Sequence, residues 1–133
     1  MSGRQRVPST APWTAAVGYS RAVRVGSHVF VAGTAPVDDD GRVVHPGDPY
    51  LQARRCFEIV LAALRAAGAG PEHVVRTRMY VVRPEDWEPV GRAHREVFGE
   101  VRPATTLVAV AGFVDPAIRV EVEADAVLDA GGA

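Results

Sequence analysis

The chain has 133 residues, of which 47% are hydrophobic and 23% charged, a composition that excludes wholesale disorder and leaves room for a single core. Its 15 basic and 16 acidic residues give a net charge of −1, so neither nucleic acid nor an anionic membrane is an expected partner. Cys56 has no second cysteine to pair with, Met1–Pro12 lacks a signal-peptide pattern, and no apolar run could span a bilayer, so we expect a cytoplasmic protein.

The first predicted elements are short strands. Arg21–Val25 and His28–Ala32 are rich in valine and flank Gly26-Ser27, a pattern that predicts a tight hairpin. Arg42–Val44 is a candidate for a third short strand.

Two helices are predicted from their end signals. Asp48-Pro49 supplies an N-cap and a first helical residue for the first helix, and Gly68 supplies its end. Pro84 begins the second helix and Gly99 ends it. Trp87 is the expected core anchor of this second helix.

Three longer strands complete the pattern, at Val74–Val82, Thr105–Ala111 and Ile118–Val127. The elements together predict an α+β fold, with a sheet of five or six strands and two helices on one face. The first two of these strands read as apolar on both faces. Because two helices cover only one face, the other face is expected to be covered by a further copy of the chain.

No internal repeat, low-complexity block or charge run divides the chain. Residues 1–133 are therefore expected to form one domain, with about 1–15 and 129–133 flexible.

Isolated motifs favour structural interpretations. Gly68-Ala69-Gly70 follows a helix and not a strand, so it predicts a helix end and not a nucleotide site. The histidines lack metal-binding spacings, and Cys56 lies among apolar neighbours, as an inert core thiol would. We expect no metal and no cofactor. Thr105-Thr106 has no adjacent base to activate a hydroxyl, which favours ordinary strand threonines.

Several short motifs follow one another between Gly18 and Val127. They are Gly18–Val23, Ala32–Pro36, Asp40-Gly41, Gln52-Ala53, Ala66–Gly68, Val74–Thr77, Asp86-Trp87, Val97-Phe98, Arg102–Ala104 and Val120–Ala124. Each motif is weak alone, but the ordered series is specific. The series resembles the YjgF/RidA family, also called Rid or L-PSP-like proteins.

The resemblance implies a chorismate-mutase-like fold assembled as a homotrimer, with a cleft between each pair of subunits. It also implies hydrolysis of reactive imines and enamines, such as 2-aminoacrylate, to a keto acid and ammonia. This chemistry needs a cation to hold the substrate carboxylate, and polar groups to place a water molecule and move protons.

The chain departs from the family at three cleft positions. The family's arginine directly after Pro-Ala is replaced by Thr105, its strand-end glutamine by Thr34, and its helix asparagine by Gly91. A neutral threonine cannot provide the two-nitrogen contact of a guanidinium group. The departures together suggest a different ligand.

The resemblance assigns catalysis to Glu121 and Tyr19, with Glu121 orienting water or relaying a proton. By strand alternation, Arg119 should lie beside Glu121 and could replace the missing cation. Alternatively, Glu121 pairs with Arg76, Arg78 or Arg119 only to hold the trimer together. The expected ligand-binding residues are Gly33, Thr34, Gly91, His94, Thr105, Thr106 and Arg119.

Three functions remain open from the sequence. The first is a divergent imine or enamine hydrolase, of deaminase type, with a substrate other than 2-aminoacrylate. The second is a non-catalytic protein that binds or senses a small molecule. The third is an endoribonuclease or translation inhibitor, which the sequence disfavours because it shows neither a basic patch nor paired histidines.

Overall fold

The computed structural model describes residues 3–129 and contains one sheet of six strands. The strands lie in the order β1-β2-β3-β6-β4-β5, with β4 and β5 parallel and all other neighbours antiparallel. Their bounds are β1 Arg4–Val7, β2 Ala22–Val25, β3 His28–Thr34, β4 Val74–Val81, β5 Ala104–Ala109 and β6 Val120–Val127. The predicted α+β class is confirmed.

In the described part of the chain, three α-helices accompany the sheet: α1 (Thr14–Val17), α2 (Pro49–Ala66) and α3 (Trp87–Phe98). The side chain of Asp48 accepts a hydrogen bond from the Leu51 backbone N–H at 3.0 Å and so caps α2. Gly68 follows the helix end at φ +86°, a conformation that favours glycine. The start and end predicted for this helix, α2, are therefore confirmed.

The core lies between α2, α3 and one face of the sheet. In β6 the apolar side chains alternate with charged ones, as predicted, and the apolar set is buried. The largest fully buried side chains of the core include Phe57, Phe98, Leu64, Val60, Val90 and Val120. This packing leaves the acidic side chains of β6 on the opposite face of the sheet.

Trp87 is not the core anchor that the sequence predicts, because its side chain is 60% exposed. A 3₁₀ turn, Pro84–Asp86, precedes α3 and makes Trp87 the first residue of the helix. The buried stripe begins one turn later, with Val90, Ala93 and Phe98.

The chain before the first predicted strand carries an additional element. β1 pairs with β2 along the edge of the sheet, within a segment that was expected to be flexible. Arg42–Val44 does not form a strand, since only a single bridge joins Val43 to Val37. Expectations for residues 1–2 and 130–133 lie outside the described residues.

We call the face of the sheet opposite the helices the open face. Its centre is polar, because β4 presents Arg78 and Tyr80 there beside Glu123 and Asp125 of β6. The expectation that β4 is apolar on both faces is therefore wrong. Phe30 is a large apolar side chain on this face, and it is 48% exposed. No helix within residues 3–129 has the length and hydropathy needed to cross a membrane.

Candidate functional site

Glu121 lies at the start of β6, where the neighbouring strand β3 ends. Its Oε1 atom is 3.5 Å from the point where a side chain at Gly33 would begin, so the carboxylate sits beside bare backbone. Among residues 3–129 it has no hydrogen-bond or ion-pair partner, and Arg78 instead pairs with Glu123 and Asp125. Burial raises the pKa of Glu121, and the nearby positive charge of Arg21 partly opposes this rise.

Arg21 is a residue of this site that the sequence analysis did not identify. Its Nη2 atom donates hydrogen bonds to the carbonyls of Ala32 and Gly33, at 2.8 and 2.7 Å. Its buried Nε has no partner among the described residues. The guanidinium group therefore fixes the backbone against which Glu121 lies. The only sequence signal was its place within the Gly18–Val23 motif.

Tyr19 lies two residues before Arg21, ahead of β2. It lines an open groove of about 550 Å³ together with Phe30, Glu123 and Asp125. Its hydroxyl oxygen is 3.5 Å from the hydroxyl oxygen of Ser9.

Thr34 does not present its side chain to a ligand. The side chain is fully buried, and its hydroxyl group donates a hydrogen bond to the carbonyl of Ala32 at 2.8 Å. The expectation for Thr34 is corrected, because its hydroxyl group is used within β3.

Arg119 is also used within the fold. Its guanidinium group forms hydrogen bonds of 2.9 to 3.1 Å with both carboxylate oxygens of Asp86, and one of 3.0 Å with the carbonyl of Gly47. This pairing directs the charge to the start of α3 and not toward Glu121. The expectation that Arg119 is a free cation beside Glu121 is therefore wrong.

A second group of candidate residues lies between α3 and β5. Nε2 of His94 is 2.7 Å from Oγ1 of Thr77, which is in turn 2.7 Å from Oγ1 of Thr105. Gly91 precedes His94 by about one helical turn, and a Cβ atom at this position would meet no atom of another element within 4 Å. Thr77 was missed by the sequence analysis, although it is a polar residue at an inward position of a buried strand.

The two groups do not meet within one chain. Strand β4 lies between β5 and β6, which separates Thr105 from Glu121 by about 10 Å across the sheet. Glu121 also lies three residues along β6 from Ala124, the residue that is level with Thr105. Thr105 contacts the buried Thr77 on the helix side, whereas Glu121 alternates with the buried Val120 and Val122. Thr106, next to Thr105, pairs in register with Arg78 and points to the open face.

The buried thiol of Cys56 belongs to neither group. It lies in the core, with Sγ 3.8 Å from the Val120 carbonyl, and burial raises its pKa well above the ordinary value. The prediction that Cys56 is an inert core thiol fits this environment.

Comparisons with known proteins place the chain among relatives of the same fold. An uncharacterized protein of Streptomyces coelicolor is 43% identical over 122 residues, covering 92% of this chain and 90% of the relative. The 3-aminoacrylate deaminase RutC of Acinetobacter baylyi is 31% identical over 104 residues, covering 78% of this chain and 82% of the relative.

The same assignment comes from structure. The crystal structure of Rv2704 from Mycobacterium tuberculosis, a member of the YjgF/YER057c/UK114 family, superimposes with a TM-score of 0.84 at 42% identity, over 94% of this chain and 99% of that one. The family model described as Endoribonuclease L-PSP matches residues 9–128. The chain therefore belongs to the Endoribonuclease L-PSP family, which includes the YjgF proteins.

Proposed function

We propose that this protein is a homotrimer that hydrolyses a small imine or enamine in the cleft between subunits. Glu121, Tyr19 and the Gly33 backbone of one chain form one wall of the site. Gly91, His94 and Thr105 of the neighbouring chain form the other. The substrate differs from 2-aminoacrylate.

The observation that carries this proposal is the isolated carboxyl group of Glu121. A half-buried carboxylate without a partner costs free energy, and such groups concentrate at functional sites. Because burial raises its pKa, the carboxyl group of Glu121 holds a proton more readily than an exposed glutamate does, as a group that gives and takes protons requires. A relative at 31% identity is named a 3-aminoacrylate deaminase, and deamination of an enamine requires such proton transfers.

The substrate class follows from the charges around the site. Thr105 is neutral, and the guanidinium group of Arg119 is bound to Asp86. Arg21 donates to two backbone carbonyls. The site therefore favours an uncharged substrate over a carboxylate. Loss of one charge-assisted carboxylate contact costs roughly 2–5 kcal/mol, or about 30- to several-thousand-fold in rate.

Matched pairs of substrates test this proposal. For 2-aminoacrylate, hydrolysis is measured as the decrease in imine trapped by semicarbazide, and for 3-aminoacrylate as the release of ammonia above the uncatalysed rate. The uncharged amides, 2-aminoacrylamide and 3-aminoacrylamide, are assayed beside them. We expect the amides to have the higher kcat/KM. Thr105→Arg should reverse this preference, and Thr106→Arg, on the other face of β5, is the matched control.

Three results would contradict the proposal in different ways. Efficient turnover of the carboxylates by the unmodified protein would contradict the substrate class. Binding of all four compounds without turnover would favour a sensor or binding protein. Cleavage of single-stranded RNA, with no ammonia release from any compound, would favour the ribonuclease activity in the family's description.

A further inference from the structure

Three side chains form a continuous hydrogen-bonded network from α3 to the edge of the sheet. His94, Thr77 and Thr105 are joined by two contacts of 2.7 Å each. Thr77 is 1% exposed, whereas Thr105 lies exposed on the edge strand β5. The parallel pairing of β4 with β5 sets Thr77 directly beside Thr105. A half-buried imidazole ring is thus connected to a hydroxyl group at the surface.

The surroundings of His94 favour its uncharged form. The rings of Phe57 and Phe98 pack against it, with centroids 5.7 and 5.0 Å away. Burial lowers the pKa of His94, and no charged side chain within residues 3–129 adds to this shift. A neutral imidazole has one nitrogen that donates and one that accepts. The role of Nε2 therefore sets the direction of both hydrogen bonds.

We propose that His94, Thr77 and Thr105 form a proton relay that opens at Thr105. A hydroxyl proton can rotate toward either neighbour, and the relay requires the arrangement in which Nε2 of His94 accepts from Thr77 and Thr77 accepts from Thr105. The lone pairs of Thr105 Oγ1 then face outward and can accept a proton from a water molecule. Thr105 is the group that touches the reacting water, and Thr77 and His94 act through it.

The inference rests on the proposed function for the reaction that the relay would serve. As the oxygen of the water adds to the imine carbon, one O–H bond of the water breaks. Its proton passes to Thr105, the proton of Thr105 passes to Thr77, and that of Thr77 passes to Nε2 of His94. The electron pair of the C=N double bond moves to nitrogen. The relay then returns its proton to this nitrogen, which completes a neutral carbinolamine and restores the resting state.

The two hydrogen bonds would also satisfy these polar groups if their role were only structural. The test must therefore measure the direction in which each hydrogen bond runs. The full chain, labelled with ¹⁵N-histidine and with ¹³C in the threonine methyl groups, is titrated by NMR from about pH 8 to pH 5. We expect Nε2 of His94 to carry no proton at the start. The methyl signal of Thr105 should then titrate with the same midpoint as His94.

Variants of the central residue provide the control. Thr77→Val should abolish the response of Thr105 while His94 still titrates, and Thr77→Ser should retain it. If Thr77→Val does not fold, the wild-type tautomer and the Thr105 titration decide. A proton on Nε2 at about pH 8 would overturn the relay. So would a Thr105 signal that ignores the titration of His94.

Turnover supplies a second readout. With 3-aminoacrylamide as the probe, we expect Thr77→Val to lower kcat by about 100-fold or more, the ordinary size of a proton-transfer contribution. KM should stay within about twofold, and Thr77→Ser should restore most of kcat. An unchanged kcat in Thr77→Val would overturn the catalytic role. If the wild-type protein turns over none of the probes, the proposed function fails, while the NMR titration still decides the relay.

Discussion

Arg119 and Asp86 form a two-nitrogen, two-oxygen ion pair that joins the start of β6 to the start of α3. Nη2 of Arg119 lies 2.9 Å from Oδ1 of Asp86, and Nε lies 3.1 Å from Oδ2. The two side chains are only 17% and 6% exposed. The charge that the sequence offered as a ligand-binding cation is therefore neutralised within the fold.

Removal of one partner of this pair should strongly destabilise the protein. Asp86→Ala leaves the Arg119 guanidinium group buried and unpaired, which costs about 3–5 kcal/mol of unfolding free energy. Urea denaturation at one fixed protein concentration measures the change. The matched control is Glu96→Ala, which breaks the exposed pair of Arg54 with Glu96 and should change the stability little. Equal effects of the two variants would contradict the prediction.

The stability should depend on pH through Glu121. Its pKa is raised in the folded state, so the fold is more stable with Glu121 protonated than with Glu121 charged. This stability is fully present below the unfolded-state pKa, about 4.3. It is lost as the pH rises through the folded-state pKa. Glu121→Gln should therefore be more stable than the wild type at about pH 7.5. The difference should vanish near pH 4. Urea unfolding at both pH values measures the difference, with the exposed Glu100→Gln as the control. If Glu121 were a stabilising ion-pair residue, Glu121→Gln would be less stable than the wild type at about pH 7.5.

The trimer should form through the open face. We expect sedimentation equilibrium to give three times the 14.2 kDa of one chain. Phe30→Glu places a charge on this face and should shift the protein toward smaller species. Leu51→Glu, on an exposed position of α2, should leave the mass unchanged. A wild-type protein that sediments as one chain at micromolar concentration would contradict the trimer.

The sequence predicted an element correctly where the pattern of neighbouring residues alone indicates how that element packs. The alternation of β6 and the Asp48 and Gly68 signals around α2 are read from adjacent residues, and the structure confirms them. β1 was missed because Arg4–Val7 is an exposed edge strand held by backbone pairing, which needs no apolar alternation.

The contacts of the site were harder to predict because they join distant residues. Arg119 and Asp86 are 33 positions apart, and Thr77 and Thr105 are 28 positions apart. Only the fold brings each pair together. The motifs could select Glu121 and Thr105 as candidates. They could not show that Arg119 is already paired, or that Thr105 reaches a histidine through Thr77.

Mixing two inactive variants tests most directly whether the site is shared between chains. Glu121→Gln and Thr105→Val are each assayed for ammonia release from 3-aminoacrylamide, and then unfolded together in equal amounts and refolded. If each site takes Glu121 from one chain and Thr105 from its neighbour, random assembly regenerates about a quarter of the sites intact. We predict activity near a quarter of the wild-type value, well above either variant alone. Activity no higher than that of the two variants, with wild-type protein recovering fully from the same refolding, would contradict a site built from two chains.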